Sequence, residues 1–296
     1  MENKPFIVAL DQGTSGSRAF AVARDGSVLA QKSAPLTPTR PAAGLSEYDA
    51  QSLASSQLRV LNELLDELGP QHAAALAVTT QRSTVVCWDK QTGRPLAPVL
   101  TWEDGRAKLE AEQADISQAR VHEISGLYKT PYFSAAKIAW CFKHIPAVKH
   151  AWETKNLCVG PVASYLIWQL TGGKTFATDA TLAQRMLLLD IHTQSWSEEL
   201  CRSFAIDPQV LPQLLPSVAD YGMYEYKGVR IPITVCSGDQ QASVSFLNLQ
   251  PGETCINYGT GAFLVHNAGA AKNALLPGML SSLSVARADG RCDCLL

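Results

Sequence analysis

The chain has no surplus of either charge: 25 lysines and arginines stand against 27 aspartates and glutamates, for a formal net charge of −2. Without a basic excess, nothing draws the whole molecule toward nucleic acid or an anionic membrane surface, and neither is an expected partner. Long apolar runs are missing as well. No uninterrupted stretch approaches the ~20 residues needed to cross a bilayer, and the first residues lack the basic flank and apolar core of a secretory signal. The expected compartment is therefore the cytoplasm. Paired cysteines are also scarce. Eight are scattered along the chain, and only Cys292-Asp293-Cys294 has a close spacing, which supplies two ligands where a closed zinc site needs four. Several lie in apolar stretches, where a free thiol acts as a small hydrophobe, so no disulfide framework is expected. Disorder is excluded too, because 46% of the residues are hydrophobic and only 18% charged. At 296 residues the chain can hold one large domain or two modest ones.

What is present is concentrated in residues 5 to 23, Pro-Phe-Ile-Val-Ala-Leu-Asp-Gln-Gly-Thr-Ser-Gly-Ser-Arg-Ala-Phe-Ala-Val-Ala. An apolar strand ends in Asp11, turns through small residues from Gln12 to Ser17, and returns from Arg18 as a second strand. Such a turn offers bare backbone N–H groups and hydroxyls, the material of an anion-binding concavity. A carboxylate at its entrance suggests a divalent cation, because Mg²⁺ is usually held by one or two carboxylates together with phosphates and water. The same pattern also suits an ordinary hairpin with a solvated tip. A second strand, Gly-Thr-Gly turn and strand at residues 254 to 267 favours the phosphate reading, since two such grips suggest a duplicated architecture.

Between the two grips the pattern is α/β. Residues 5 to 32 predict three successive strands with a turn at Asp25-Gly26. Leucines 53, 58, 61, 64, 65 and 68 form a helical stripe that stops at Gly69-Pro70. Strands are expected over 74–78 and 85–88, then mostly helix from 105 to about 220. That helical region includes a helix from Pro161 to Leu170 and another capped by Ser197. A strand over 231–236 then leads into Gly238-Asp239-Gln240-Gln241, which places Asp239 at a helix N-terminus. A doubly wound fold does not begin with a meander. The βββαβ order fits the ribonuclease H-like, actin-like ATPase fold, a mixed sheet with an opening β-meander.

Six segments then resemble the FGGY family of carbohydrate kinases, and within it the glycerol kinases. They are Ala-Leu-Asp-Gln-Gly-Thr-Ser-Gly-Ser-Arg (9–18), Gln-Arg-Ser-Thr-Val-Val-Cys-Trp-Asp (81–89), Pro-Tyr-Phe-Ser (131–134), Asp-Ile-His-Thr (190–193), Ser-Gly-Asp-Gln-Gln-Ala (237–242) and Tyr-Gly-Thr-Gly (258–261). The resemblance implies ATP-dependent phosphorylation of a polyol or sugar hydroxyl, with Mg²⁺, between two ribonuclease H-like domains. It implies Asp239 as catalytic base and Asp11 as metal ligand. Thr14, Ser15 and Arg18 would meet the transferring phosphate, and Gly259, Thr260 and Gly261 the β-phosphate side. Arg82, Tyr132, Asp239 and Gln240 would grip substrate hydroxyls, while Trp102 and Phe263 cover the carbon skeleton. A homodimer or homotetramer is also implied.

Two departures follow. Glycerol kinases carry a glutamate after the Gln-Arg pair, and here Ser83 stands in its place, which predicts a changed substrate. FGGY kinases also extend further. Residues 1–249 read as the N-terminal domain and 250–296 as the beginning of a truncated C-terminal one, without the adenosine subsite. A non-catalytic polyol-binding or regulatory protein is the rival expectation. An ATPase of the actin and heat-shock type fits the opening turn but not Gln81-Arg82, Tyr132 or Asp239-Gln240.

Overall fold

The computed structural model describes residues 5–258, 262–270, 275–286 and 292–296. Strands β1 (Phe6–Gln12), β2 (Gly16–Ala23) and β3 (Val28–Pro35) form the expected antiparallel meander. Gly26, at φ 84°, turns β2 into β3 beside the Asp25 carboxylate, which accepts from the Ser27 N–H at 3.0 Å. Helix α1 (Ala50–Leu68) follows, capped by Asp49, whose side chain accepts from the Ser52 N–H. Its stripe of Leu53, Leu61, Leu64 and Leu65 is fully buried, and Gly69 ends it at φ 85°. Strand β4 (Ala73–Thr80) then returns parallel to β1.

Strand β5 (Val85–Asp89) leaves this sheet and pairs antiparallel with β6 (Leu157–Pro161) around the buried Trp88. Pro161 closes β6, so the helix predicted from that residue starts one position later as α3 (Val162–Leu170). The missing N–H of proline is harmless at either place, which is why composition alone did not fix the boundary. Helix α2 (Ser134–His144) precedes it, and α4 (Ala180–Gln184) comes after. Strands β7 (Met223–Tyr226) and β8 (Val229–Gly238) complete a six-stranded sheet in the order β7-β8-β4-β1-β2-β3, and α5 (Asp239–Phe246) leaves its end. The β8–β4 and β4–β1 pairings are parallel and the remaining pairings antiparallel. The apolar core beneath the sheet joins Val8, Leu10, Leu61, Leu76, Val78, Ile167 and Ile233.

A separate four-stranded antiparallel sheet holds β9 (Thr254–Tyr258), β10 (Ala262–Gly269), β11 (Ser282–Leu283) and β12 (Cys294–Leu295) in the order β9-β10-β12-β11. The buried Gln184 amide staples it to α4, donating to the Ser281 carbonyl at 2.6 Å and accepting from the Leu283 N–H at 2.9 Å. Ile256 and Leu264, register partners on β9 and β10, are 52% and 57% exposed. No helix among the described residues is long and apolar enough to cross a membrane.

One glycine of the opening turn has a steric requirement. A Cβ at Gly16 would lie 2.7 Å from the Ala34 carbonyl oxygen of the neighbouring strand, and backbone cannot swing away as a side chain can. Gly16→Ala is expected to lower unfolding free energy by about 1–3 kcal/mol. Urea denaturation measures it, and an unchanged midpoint would mean that β3 yields without cost.

Candidate active site

Three parallel strands end side by side. In register, Asp11 of β1 lies beside Thr79 of β4, and Thr79 beside Ser237 of β8. The chain leaves these ends as the Gln12–Ser17 turn, the Gln81-Arg82-Ser83 turn and the first residue of α5, Asp239. Ligands of α/β sheets gather outside the carboxyl ends of parallel strands, and Asp11, Arg82 and Asp239 lie there.

Strand alternation decides what faces that space. Phe6, Val8, Leu10 and Gln12 point into the core, while Ile7, Ala9 and Asp11 take the more open face. Arg18 is the register partner of Asp11 on the same face, and its Nη1 donates to Asp11 Oδ2 at 3.2 Å. Burial lifts the Asp11 carboxyl above the ordinary carboxylate range; Arg18 opposes the rise, and the charge of Asp239 adds to it. The turn between them is braced from inside. Fully buried Gln12 accepts from the Ser17 hydroxyl at 2.8 Å, and the Gln12 carbonyl accepts from the Gln81 N–H at 2.8 Å. The Thr14 carbonyl accepts from the Tyr48 hydroxyl at 2.6 Å. Ser15 is exposed at the tip.

Asp239 opens α5 directly after Gly238, so its carboxylate sits at the positive end of a helix. Arg82 Nε donates to Asp239 Oδ1 at 3.1 Å. That approach needs the neighbouring glycine, because a Cβ on Gly238 would meet Arg82 Cδ at 2.7 Å. Trp102 donates from its indole N–H to Thr14 Oγ1 at 3.0 Å, and its ring lies 5.7 Å from that of Tyr132 at a tilt of 58°. One side chain thereby joins Tyr132 to the Gln12–Ser17 turn.

Arg82, Trp102, Tyr132 and Gln240 line a cavity of about 450 Å³. Ser83 does not reach it. It is buried at φ 60°, with no hydrogen-bond partner for its hydroxyl among the described residues. Gly259, Thr260 and Gly261 lie outside the described residues, as does the Phe263 side chain, although residue 263 belongs to β10.

Sequence reasoning missed two cations here. Arg185 lines the same cavity from the turn after α4, and Lys137 of α2 lies behind its wall. The fully buried Lys137 ammonium donates to the Ser83 carbonyl at 3.1 Å and the Tyr132 carbonyl at 2.5 Å, tying both sides of the cavity to one helix. Burial pulls Lys137 down to about 7, against the attraction of Asp104. Lys137 sits within an otherwise apolar run, Ala-Ala-Lys-Ile-Ala, and Arg185 within Ala-Gln-Arg-Met-Leu, where only Gln184 is also polar; the cation in each run is the one signal that could have marked it.

The meander, the mixed sheet and the residues at its carboxyl ends define the ribonuclease H-like, actin-like ATPase class of folds. Residues 6–245 match the model of the FGGY family of carbohydrate kinases, N-terminal domain. The chain belongs to the FGGY family of carbohydrate kinases. It is 37% identical over 281 residues to the glycerol kinase of Gluconobacter oxydans, covering 91% of this chain and 54% of that protein. With the glycerol kinase of Rhodospirillum centenum it shares 38% over 300 residues, covering 99% of this chain and 60% of that protein. Among solved structures, Plasmodium falciparum glycerol kinase with ADP superposes with a TM-score of 0.91 at 28% identity, covering 99% of this chain and 60% of that chain. The xylulose kinase of Rhodospirillum rubrum, at 22% identity and a TM-score of 0.87 over 98% of this chain and 59% of that one, shares the fold. The chain thus spans a little over half the length of the curated relatives it matches.

Proposed function

We propose that this chain carries the acceptor site and catalytic base of an ATP-dependent kinase acting on a polyol or short sugar. The observation that carries the reading is the Asp239 carboxylate, held by Arg82 at a helix N-terminus beside a cavity for a small molecule and within the field of Asp11. In this reading the acceptor hydroxyl, oriented by Arg82, Tyr132 and Gln240 against Trp102, attacks the γ-phosphorus of ATP. Its proton passes to Asp239 as the bond to the ADP oxygen breaks. Thr14, Ser15 and Arg18 receive the transferring phosphoryl group, with Gly259, Thr260 and Gly261 on the β-phosphate side.

The donor set fits Mg²⁺. Asp11 would supply a hard oxygen ligand from a partly buried position, where a cation would also offset the desolvation of its carboxylate. Bound there, the ion would neutralise phosphate charge. Residues 1–249 constitute the N-terminal ribonuclease H-like domain in this reading, and 250–296 begin a second. Glycerol, the substrate in the names of several relatives, is one acceptor to test, and the neutral Ser83 argues for testing others.

The experiment is coupled ADP release with Mg·ATP across glycerol, erythritol, xylitol, ribulose and xylulose, using this chain and a version extended by a full second domain. Acceptor-dependent release from either supports the kinase. If neither releases ADP yet an acceptor binds in calorimetry, the chain is a polyol-binding protein instead.

A further inference from the structure

Two guanidinium groups face the cavity, and neither is fully engaged. Arg82 spends its Nε on Asp239, but its buried Nη1 has no hydrogen-bond partner among the described residues. Arg185 is 6% exposed; one terminal nitrogen donates to the Ser282 hydroxyl, and its buried Nε is likewise without a partner. No carboxylate among the described residues forms an ion pair with Arg185. Its cation is set over the Phe133 ring, 6.0 Å from the centroid, which returns only a fraction of what burial costs. Each guanidinium also repels the other, and burial together with Arg82 holds Arg185 down at about 9. Among the described residues, the acidic side chain held beside the cavity is Asp239. It already serves Arg82, is itself 44% exposed, and is committed to the acceptor hydroxyl under the reading above.

The rest of the wall deepens the imbalance. Val244, Leu264, Leu280 and Leu295 make the far side apolar, so that wall supplies no counter-charge to the buried guanidinium atoms. Lys137, behind Tyr132, adds a third cationic group when protonated and no anion. Buried polar donors are satisfied in nearly every folded protein, and two incompletely paired guanidinium side chains lining one cavity point to a ligand that brings acceptor atoms. A guanidinium offers parallel N–H groups in a plane, the geometry that matches a carboxylate and gains little from a lone hydroxyl.

We propose that the acceptor of this kinase carries its own carboxylate: a sugar acid or polyol carboxylate whose anionic end pairs with Arg185 and Arg82 while its far hydroxyl lies at Asp239. The proposal rests on the kinase reading for the role of the hydroxyl, but its test does not depend on turnover.

Matched twins separate the two. Calorimetry on the whole chain without ATP compares glycerate with glycerol, erythronate with erythritol, and xylonate with xylitol. At least one acid is expected to bind roughly 10- to 100-fold tighter than its neutral twin, the range for charge-assisted hydrogen bonds. Arg185→Gln should erase that preference while leaving the neutral twin within about 3-fold. Arg185→Lys, which retains the charge but not the fork, should keep part of it and guards against loss of folding in the glutamine variant. Equal binding of the twins, or tighter binding of the neutral one, overturns the anionic acceptor and leaves the polyol kinase standing. A preference that survives both arginine variants overturns the assignment to Arg185. Binding of neither class overturns both readings.

Discussion

Asp239→Asn is expected to reduce acceptor-dependent ADP release by about 100- to 10,000-fold, the range supplied by a positioned general base. The substitution is chosen to change little else. An asparagine keeps the size of the side chain, and its Oδ1 can still accept from Arg82 Nε and from the Gln240 N–H, both of which meet Asp239 Oδ1. The Arg82 clamp, the start of α5 and the floor of the cavity should therefore persist, and the acceptor should bind within a few-fold of its normal affinity. What disappears is the basic oxygen that takes the hydroxyl proton. The effect should fall on kcat and leave KM nearly unchanged, because the lost interaction is made only as the proton leaves. A variant that releases ADP at the parental rate would remove Asp239 from the chemistry. A fall confined to KM would make it a binding group alone.

The fold was legible where local rules act alone. The apolar run that ends in Asp11, the turn of small residues and the return from Arg18 gave β1 and β2. The leucine stripe gave the body of α1 and Gly69-Pro70 its end, and Gly238-Asp239 gave the strand-to-helix step at the candidate site. Pairing over long distances was not legible. Val85–Asp89 reads as a strand, yet nothing in it says that its partner is Leu157–Pro161 in a different sheet from its neighbour β4. That choice is made by tertiary packing around Trp88, Tyr165 and Phe176, whose rings meet at 5.2 Å from the tryptophan.

The site divides in the same way. Asp11, Arg18, Arg82 and Asp239 were visible because each stands in or beside a stretch of small or polar residues, where a charge has no core to serve. Arg185 and Lys137 were not, because a cation inside an apolar run has no local signature of what it will face. Ser83 shows the converse. It was expected at the substrate on the strength of its place after Arg82, but its left-handed backbone turns it into the interior and leaves its carbonyl, not its hydroxyl, as the useful group.

That carbonyl leads to the second large effect. Lys137→Met is expected to destabilise the chain, and increasingly so as the pH rises from 7 to 9. Methionine fills much of the lysine stem's volume but leaves the Ser83 and Tyr132 carbonyls without their donor, a loss of about 1–3 kcal/mol for each buried group left unpaired. The pH dependence comes from the folded pKa near 7 against the ordinary lysine value of 10.5. Between those values the unfolded chain binds a proton that the folded chain does not, so the parental protein gains stability as pH climbs through that window. The methionine variant has no such proton to lose. The gap between the two should widen by about 1.4 kcal/mol per pH unit at most, and by about 2 kcal/mol from pH 7 to 9. Comparison with the variant cancels every other titrating group, so urea denaturation of the pair at several pH values isolates Lys137. A gap that stays constant would mean that the amine keeps its proton in the fold. A third permanent cation would then stand behind the wall of the cavity that Arg82 and Arg185 line, which strengthens the case for an anionic ligand.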